Sequence, residues 1–167
     1  IAHLACYKNN IHMLEFINRH FRNKLTMFNL KQQQPIHIAV ENGQLGVFKY
    51  LLTVIENKKR LYLNLNNTML NIAFYAAMKD LKKSIPILRY LFQHHRKLFN
   101  IQDYNKKTPI EVMLIQLGYE NETVENKILL CSDIVEFLFS KTGQYDDLCT
   151  RMNNTAPKAS STLSLLV

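Results

Sequence analysis

Apolar residues return along this chain at steps of three and four, the spacing of one helix face, and not at the alternate positions of a half-buried strand. The pattern is clearest in four segments: Ile11-His12-Met13-Leu14-Glu15-Phe16-Ile17, Leu45-Gly46-Val47-Phe48-Lys49-Tyr50-Leu51-Leu52, Ile85-Pro86-Ile87-Leu88-Arg89-Tyr90-Leu91-Phe92 and Asp133-Ile134-Val135-Glu136-Phe137-Leu138-Phe139. Each is predicted to be an amphipathic helix. A shorter segment stands ahead of each one: Ile1-Ala2-His3-Leu4-Ala5, Pro35-Ile36-His37-Ile38-Ala39, Met69-Leu70-Asn71-Ile72-Ala73 and Thr108-Pro109-Ile110-Glu111-Val112. His3, His37 and Asn71 are spaced 34 residues apart, and Glu111 takes the same place in a fourth copy after a longer interval. Pro35 and Pro109 fall where a helix begins, a position at which the missing amide hydrogen costs nothing. Each unit therefore reads as turn, short helix, tight turn, longer helix.

A helix pair of this size cannot bury its apolar stripe alone, so neighbouring units must cover it. The residues expected in the shared core are Leu14, Phe16, Phe48, Leu51, Leu88, Leu91, Val135 and Leu138. Ala5, Ala39 and Ala73 are expected on the inner helices, where a small side chain lets neighbouring helices approach. The array is assigned to residues 1–143. Residues 144–167 are assigned to a short terminal helix, from Tyr145 to Met152, and a flexible tail beginning at Asn153. The first unit begins partway through its inner helix and lacks a cap, which reads as a fragment or as an array whose earlier repeats were lost.

The stretch Gln34-Pro35-Ile36-His37-Ile38-Ala39-Val40-Glu41-Asn42-Gly43-Gln44-Leu45 resembles the ankyrin-repeat pattern T-P-L-H-x-A-x-x-x-G-x-L, and Thr108-Pro109-Ile110 preserves the opening of another copy. The resemblance covers roughly residues 1 to 140. It implies an all-α fold: an ankyrin-type helical solenoid of stacked helix-turn-helix repeats, with irregular third and fourth repeats. The irregularities are extra residues around Met78 to Ser84 and a longer insert, Gly118 to Cys131, expected between the two helices of the fourth unit. Gln32, Asn66 and Lys106 stand where the family has a turn glycine, so these hairpin tips are expected to be short or irregular, with Asn the residue best able to adopt positive φ. In the family the residue matching His3 and His37 is structural, its ring bonded to turn backbone.

Composition narrows the chemistry. Among 167 residues, 21 Lys and Arg stand against 13 Asp and Glu, a net charge of +8 that suits acidic or phosphate-bearing partners. Cys6, Cys131 and Cys149 are odd in number and show no CxxC spacing, so neither a disulfide framework nor a zinc site is expected and a reducing, cytoplasmic setting fits. The longest apolar stretch, Ile128 to Phe139, is too short for a transmembrane segment and contains Asp133 and Glu136. No GxSxG, HExxH or glycine-rich phosphate loop is found, and no catalytic residue, metal site or cofactor is assigned. His94-His95 is a poor metal site, because adjacent helical residues point about 100° apart.

The function expected is that of a non-catalytic protein–protein interaction module. The resemblance carries the binding surface over to the hairpin tips and the exposed side of the inner helices: Tyr7 and Lys8, then Lys31, Gln33, Glu41 and Asn42, then Asn67 and Tyr75, and last Tyr104, Asn105 and Lys107. Tyr side chains on a rigid concave face are good anchors. The alternative is an electrostatic binder of nucleic acid or anionic lipid. It would use Arg22 and Lys24, Lys58-Lys59-Arg60, His94-His95-Arg96-Lys97 and Lys141, which follow successive outer helices and would form a basic ridge. The competing explanation is the preference of cations for helix C-termini. Ankyrin-like proteins delivered into host cells as effectors by intracellular bacteria often have such a Lys-, Asn- and Ile-rich composition. By that analogy the host cytosol would be the place of action.

Overall fold

Helix starts in this chain are written by local capping chemistry, and they divide it into pairs. The computed structural model describes residues 1–55, 72–103, 105–140 and 143–155, and among these all regular secondary structure is helical. The first pair is α1 (Ala2–Tyr7) and α2 (Ile11–His20), with the Asn10 side chain accepting the Met13 amide at 2.9 Å. The second is α3 (Pro35–Glu41) and α4 (Leu45–Val54). Pro35 occupies the first turn of α3, and His37 Nδ1 accepts the Gln34 amide at 2.8 Å. The third is α5 (Ile72–Met78) and α6 (Leu81–His94), the latter capped by Asp80. The fourth is α7 (Pro109–Gln116) and α8 (Val124–Phe139). At the start of α7, Glu111 Oε2 accepts the Thr108 amide at 2.6 Å, so Glu111 satisfies the same helix-end donor as His37. Short 3₁₀ turns, Arg22–Leu25 and Arg96–Asn100, follow α2 and α6.

The pairs pack in series. Each short helix lies against the next short one, α1 on α3, α3 on α5 and α5 on α7, and the longer helices follow in parallel, α2 on α4, α4 on α6 and α6 on α8. Small side chains permit the close approach of the short helices: Ala5, Ala39, Ala73, Ala76 and Ala77 are all buried. Leu14, Phe48, Leu51, Leu88, Leu91 and Leu138 are fully enclosed, and Val135 packs partly buried against them. The chain closes with α9 (Tyr145–Thr155), which rests on α8 and α6 through Leu148 and Met152, one turn apart and both fully buried.

Three sequence expectations change. Phe16 is not in the core: it is half-exposed, its ring tilted against His20 at 4.6 Å. Leu14 and Ile17 form the buried stripe of α2, and Phe16 lies to one side of it, its ring centre 6.4 Å from that of Phe21. Second, the extra residues of the third and fourth units largely extend the longer helices, with Lys79–Asp80 and Gly118–Thr123 left as the connections. Leu81 to Ser84 add a turn to the front of α6, and Val124 to Cys131 form the front half of α8, capped by Thr123. Third, Asn153 to Thr155 complete α9 and do not begin the tail; residues 156–167 lie outside the described segments.

Candidate functional site

The hairpin turns ahead of α3 and α7 are copies of one another. Asn29 Oδ1 accepts the amides of Lys31 and Gln33, both at 2.9 Å; Asp103 Oδ1 accepts those of Asn105 and Lys107 at 2.8 and 2.9 Å. A backbone bond of 2.9 Å closes each turn, from Asn29 to the Gln33 carbonyl and from Asp103 to the Lys107 carbonyl. Gln32 and Lys106 take the left-handed backbone, with φ of 57° and 58°. The expectation of short or irregular tips is thus replaced by a regular five-residue turn, in which two side-chain-accepted amides offset the cost of positive φ at a residue other than Gly or Asn. Asn66 and Asn67, which the repeat register assigns to the remaining tip, lie outside the described residues, as does Tyr104.

Behind the first turn, three of the expected binding residues meet. Glu41 Oε1 accepts the Tyr75 hydroxyl at 2.7 Å and Gln33 Nε2 at 2.9 Å, and Gln33 Nε2 also reaches the Tyr75 oxygen at 2.8 Å. Lys79, one turn after Tyr75 on α5, pairs with the same Glu41 oxygen at 2.8 Å and lies 4.9 Å from the Tyr75 ring centre. The cluster thus ties the hairpin, α3 and α5 together. Burial works against the Glu41 carboxylate, but the Lys79, Tyr75 and Gln33 donors outweigh it and hold its pKa below the ordinary value. Burial, then the bond to Glu41, raises the pKa of Tyr75.

His37 completes the wall. Its ring meets Tyr75 edge-on at 4.7 Å, and burial lowers its pKa to about 4. Because Nδ1 accepts from the Gln34 amide, the ring proton sits on Nε2, which is buried without a hydrogen-bond partner among the described residues. His3 Nε2 donates to the Gln33 carbonyl at 2.7 Å, across 30 residues. The position equally far beyond His37 is Asn67.

The other expected residues are distributed along the edge of this face. Tyr7 is exposed, with Lys8 Nζ 5.6 Å from its ring centre. Lys31 and Asn105 are exposed on their hairpins and Lys107 is half-buried. Asn42 is exposed at the end of α3, its side-chain amide donating to the Ile38 carbonyl at 2.8 Å. Sequence reasoning missed Asn29, Asp103 and Lys79. An Asn or Asp four residues before the last turn residue, 74 residues apart in the chain, was a readable signal for the first two; the spacing of Tyr75 and Lys79 was one for the third.

Of the basic ridge, Arg22 donates to the Val54 carbonyl at 3.4 Å, and Arg96 stacks on Phe92 and Phe139 at 5.3 and 5.0 Å. Lys58, Lys59, Arg60 and Lys141 lie outside the described residues. Burial drives the thiols of Cys6 and Cys131 up to about 12 and about 11, which keeps both protonated and poor as nucleophiles. Among the described residues no three His, Cys, Asp or Glu side chains cluster as metal ligands, and no helix is long and apolar enough to cross a membrane. Comparison with family models, with curated proteins and with solved structures gives no match.

Proposed function

We propose that this chain is an ankyrin-type solenoid that binds another protein along its hairpin turns and the exposed side of its short helices. The observation that carries this reading is the duplicated hairpin. Two turns 74 residues apart use the same bond set and the same left-handed residue to hold Lys31 and Asn105 outward on rigid backbone. A rigid platform lowers the ordering cost that a partner would otherwise meet, which favours specific recognition. Exposed Tyr7 and Asn42 extend the same edge and add adaptable polar contacts.

The test is affinity capture with the purified chain, identification of retained proteins by mass spectrometry, and repetition with a Lys31→Glu, Asn42→Ala, Asn105→Ala variant. A partner held by the original chain and lost by the variant, at unchanged melting temperature, supports the reading. Retention of the same partner by both removes this face from consideration. Salt-sensitive retention of RNA or of anionic vesicles instead favours the basic ridge.

A further inference from the structure

The chain contains one Asn–Gly pair, Asn42–Gly43, and it stands at the end of α3. An asparagine followed by glycine is open to an internal reaction. The glycine nitrogen attacks the asparagine Cγ, the Cγ–Nδ2 bond breaks, and ammonia leaves with the amide proton. The cyclic imide so formed takes up water across one of its two C–N bonds. Opening on one side gives aspartate; opening on the other gives isoaspartate, in which the main chain runs through Cβ. Glycine favours the first step because it has no Cβ to crowd the attacking nitrogen. Asn42 is exposed, so water reaches the site.

Folding holds the two residues out of reach of each other. Ring closure requires the Gly43 nitrogen to lie on the Cβ side of the Asn42 Cα–C bond. At the ψ of 2° found for Asn42, that nitrogen instead eclipses the residue's own amide nitrogen. The Gly43 amide donates to the Val40 carbonyl at 3.0 Å and the Gln44 amide to the Ala39 carbonyl at 2.9 Å, the paired bonds that end a helix on a left-handed glycine. The leaving nitrogen is held as well, since Asn42 Nδ2 donates to the Ile38 carbonyl at 2.8 Å. These restraints are lost together when the last turn of α3 opens. The same turn carries Glu41, which Tyr75, Gln33 and Lys79 tie to α5 and the hairpin, so that cluster resists the opening.

We infer that Asn42–Gly43 is a latent modification site, reactive in molecules whose α3 has opened, and that its isoaspartyl product prevents α3 from closing again. The added main-chain methylene breaks the spacing of the paired cap bonds. Gly43 also has little room to shift, because even a Cβ on it would stand 2.5 Å from the Lys83 carbonyl oxygen of α6. The aspartyl product keeps the spacing but places a negative charge beside Glu41 at the C-terminal end of α3, where the helix dipole opposes it.

The inference is tested by ageing the chain at one pH, in native buffer and in guanidinium chloride, beside a peptide of residues 36–48. A peptide of this length does not hold a helix in water, so it reports the unrestrained rate. Proteolysis and mass spectrometry follow the amide-to-acid mass gain at residue 42, and chromatography separates aspartyl from isoaspartyl product. Unfolded chain and peptide should react at similar rates, and faster than Asn105, whose successor Lys106 carries a Cβ. The native chain should react at least about tenfold more slowly than the unfolded one. Tyr75→Phe, whose lost hydroxyl takes no part in the chemistry, should speed the native reaction about fivefold and leave the unfolded rate unchanged. The separated isoaspartyl chain should melt at a lower temperature and exchange the amides of α3 faster, whereas Asn42→Ala aged in parallel should change in neither respect. Equal native and unfolded rates, or indifference of the native rate to Tyr75→Phe, would show that α3 does not guard the pair. Absence of reaction at residue 42 in the unfolded chain, or an isoaspartyl chain that melts like the starting protein, overturns the inference as directly.

Discussion

Substituting His37 by Gln should flatten the stability of this protein against pH between 7 and 5. In the folded chain His37 is fully enclosed, and burial holds its pKa at about 4, against 6.5 for an unperturbed imidazole. The unfolded chain therefore takes up a proton that the folded chain refuses, and stability falls as the pH drops through 6.5 toward 4. Integrating the proton difference between these two values gives a loss of about 2 kcal/mol between pH 7 and pH 5. For a chain of this length that amounts to a drop of roughly 4–8 °C in melting temperature. Glu41 acts in a lower window: its pKa is depressed, so its contribution is present above the ordinary carboxylate value and disappears as pH falls through the folded one. The interval from pH 7 to pH 5 therefore isolates the histidine. His37→Gln also removes the edge-on contact with Tyr75, so the variant should start less stable at pH 7. What matters is the difference in slope. Urea unfolding followed by circular dichroism at half-unit pH steps would measure it for both proteins. An unchanged slope in the variant would refute the assignment of this pH dependence to His37.

Gly43 has φ of +66°, and a Cβ there would stand 2.5 Å from the Lys83 carbonyl oxygen, so Gly43→Ala should lose about 2 kcal/mol or more in urea titration. Gly46→Ala, whose Cβ would meet only Ile11 Cδ1 at 3.7 Å inside α4, should instead gain about 0.5 kcal/mol by the same measurement. Tyr75→Phe removes the hydroxyl shared by Glu41 and Gln33 and should cost about 1 kcal/mol, with faster amide exchange in α5. Asn29→Ala leaves two turn amides without their acceptor and should cost about 1–2 kcal/mol, whereas Asn29→Asp should be tolerated because Asp103 makes the same pair of bonds; thermal melts of the two variants decide this.

The helix pairs were legible because two kinds of signal agreed. Pro35 and Pro109 mark helix starts, and the 34-residue step placed His3 and His37 at matching points of successive short helices. What escaped the sequence was whatever depends on a neighbour and not on the helix itself. Phe16 has the residue type and local spacing of a core side chain, yet it stands half-exposed beside His20, whereas Phe137, at the same register in the fourth unit, is buried with the Arg89 guanidinium and Gly143 against its ring. The front half of α8 was read as an insert for a related reason. Val124, Ile128 and Leu129 are exposed, so they carry no core stripe, and only the Thr123 cap announces a helix there.

The residues chosen for recognition divide along the same line, and the division bears on how the face would work. Gln33, Glu41 and Tyr75 were selected because the register puts them on the exposed side of the short helices, which says nothing of the 42 residues separating Gln33 from Tyr75. Folding turns them toward each other. Three donors converge on a single Glu41 oxygen, so that carboxylate and the Tyr75 hydroxyl are already engaged before any partner arrives. Their contribution to binding under the proposed function is to fix the spacing of the second and third units. Lys31, Asn42 and Asn105, whose side chains remain exposed, are left to read the partner. Substitution of these three should change which protein is held without changing stability. Tyr75→Phe should change stability first, and affinity only through the alignment of neighbouring turns.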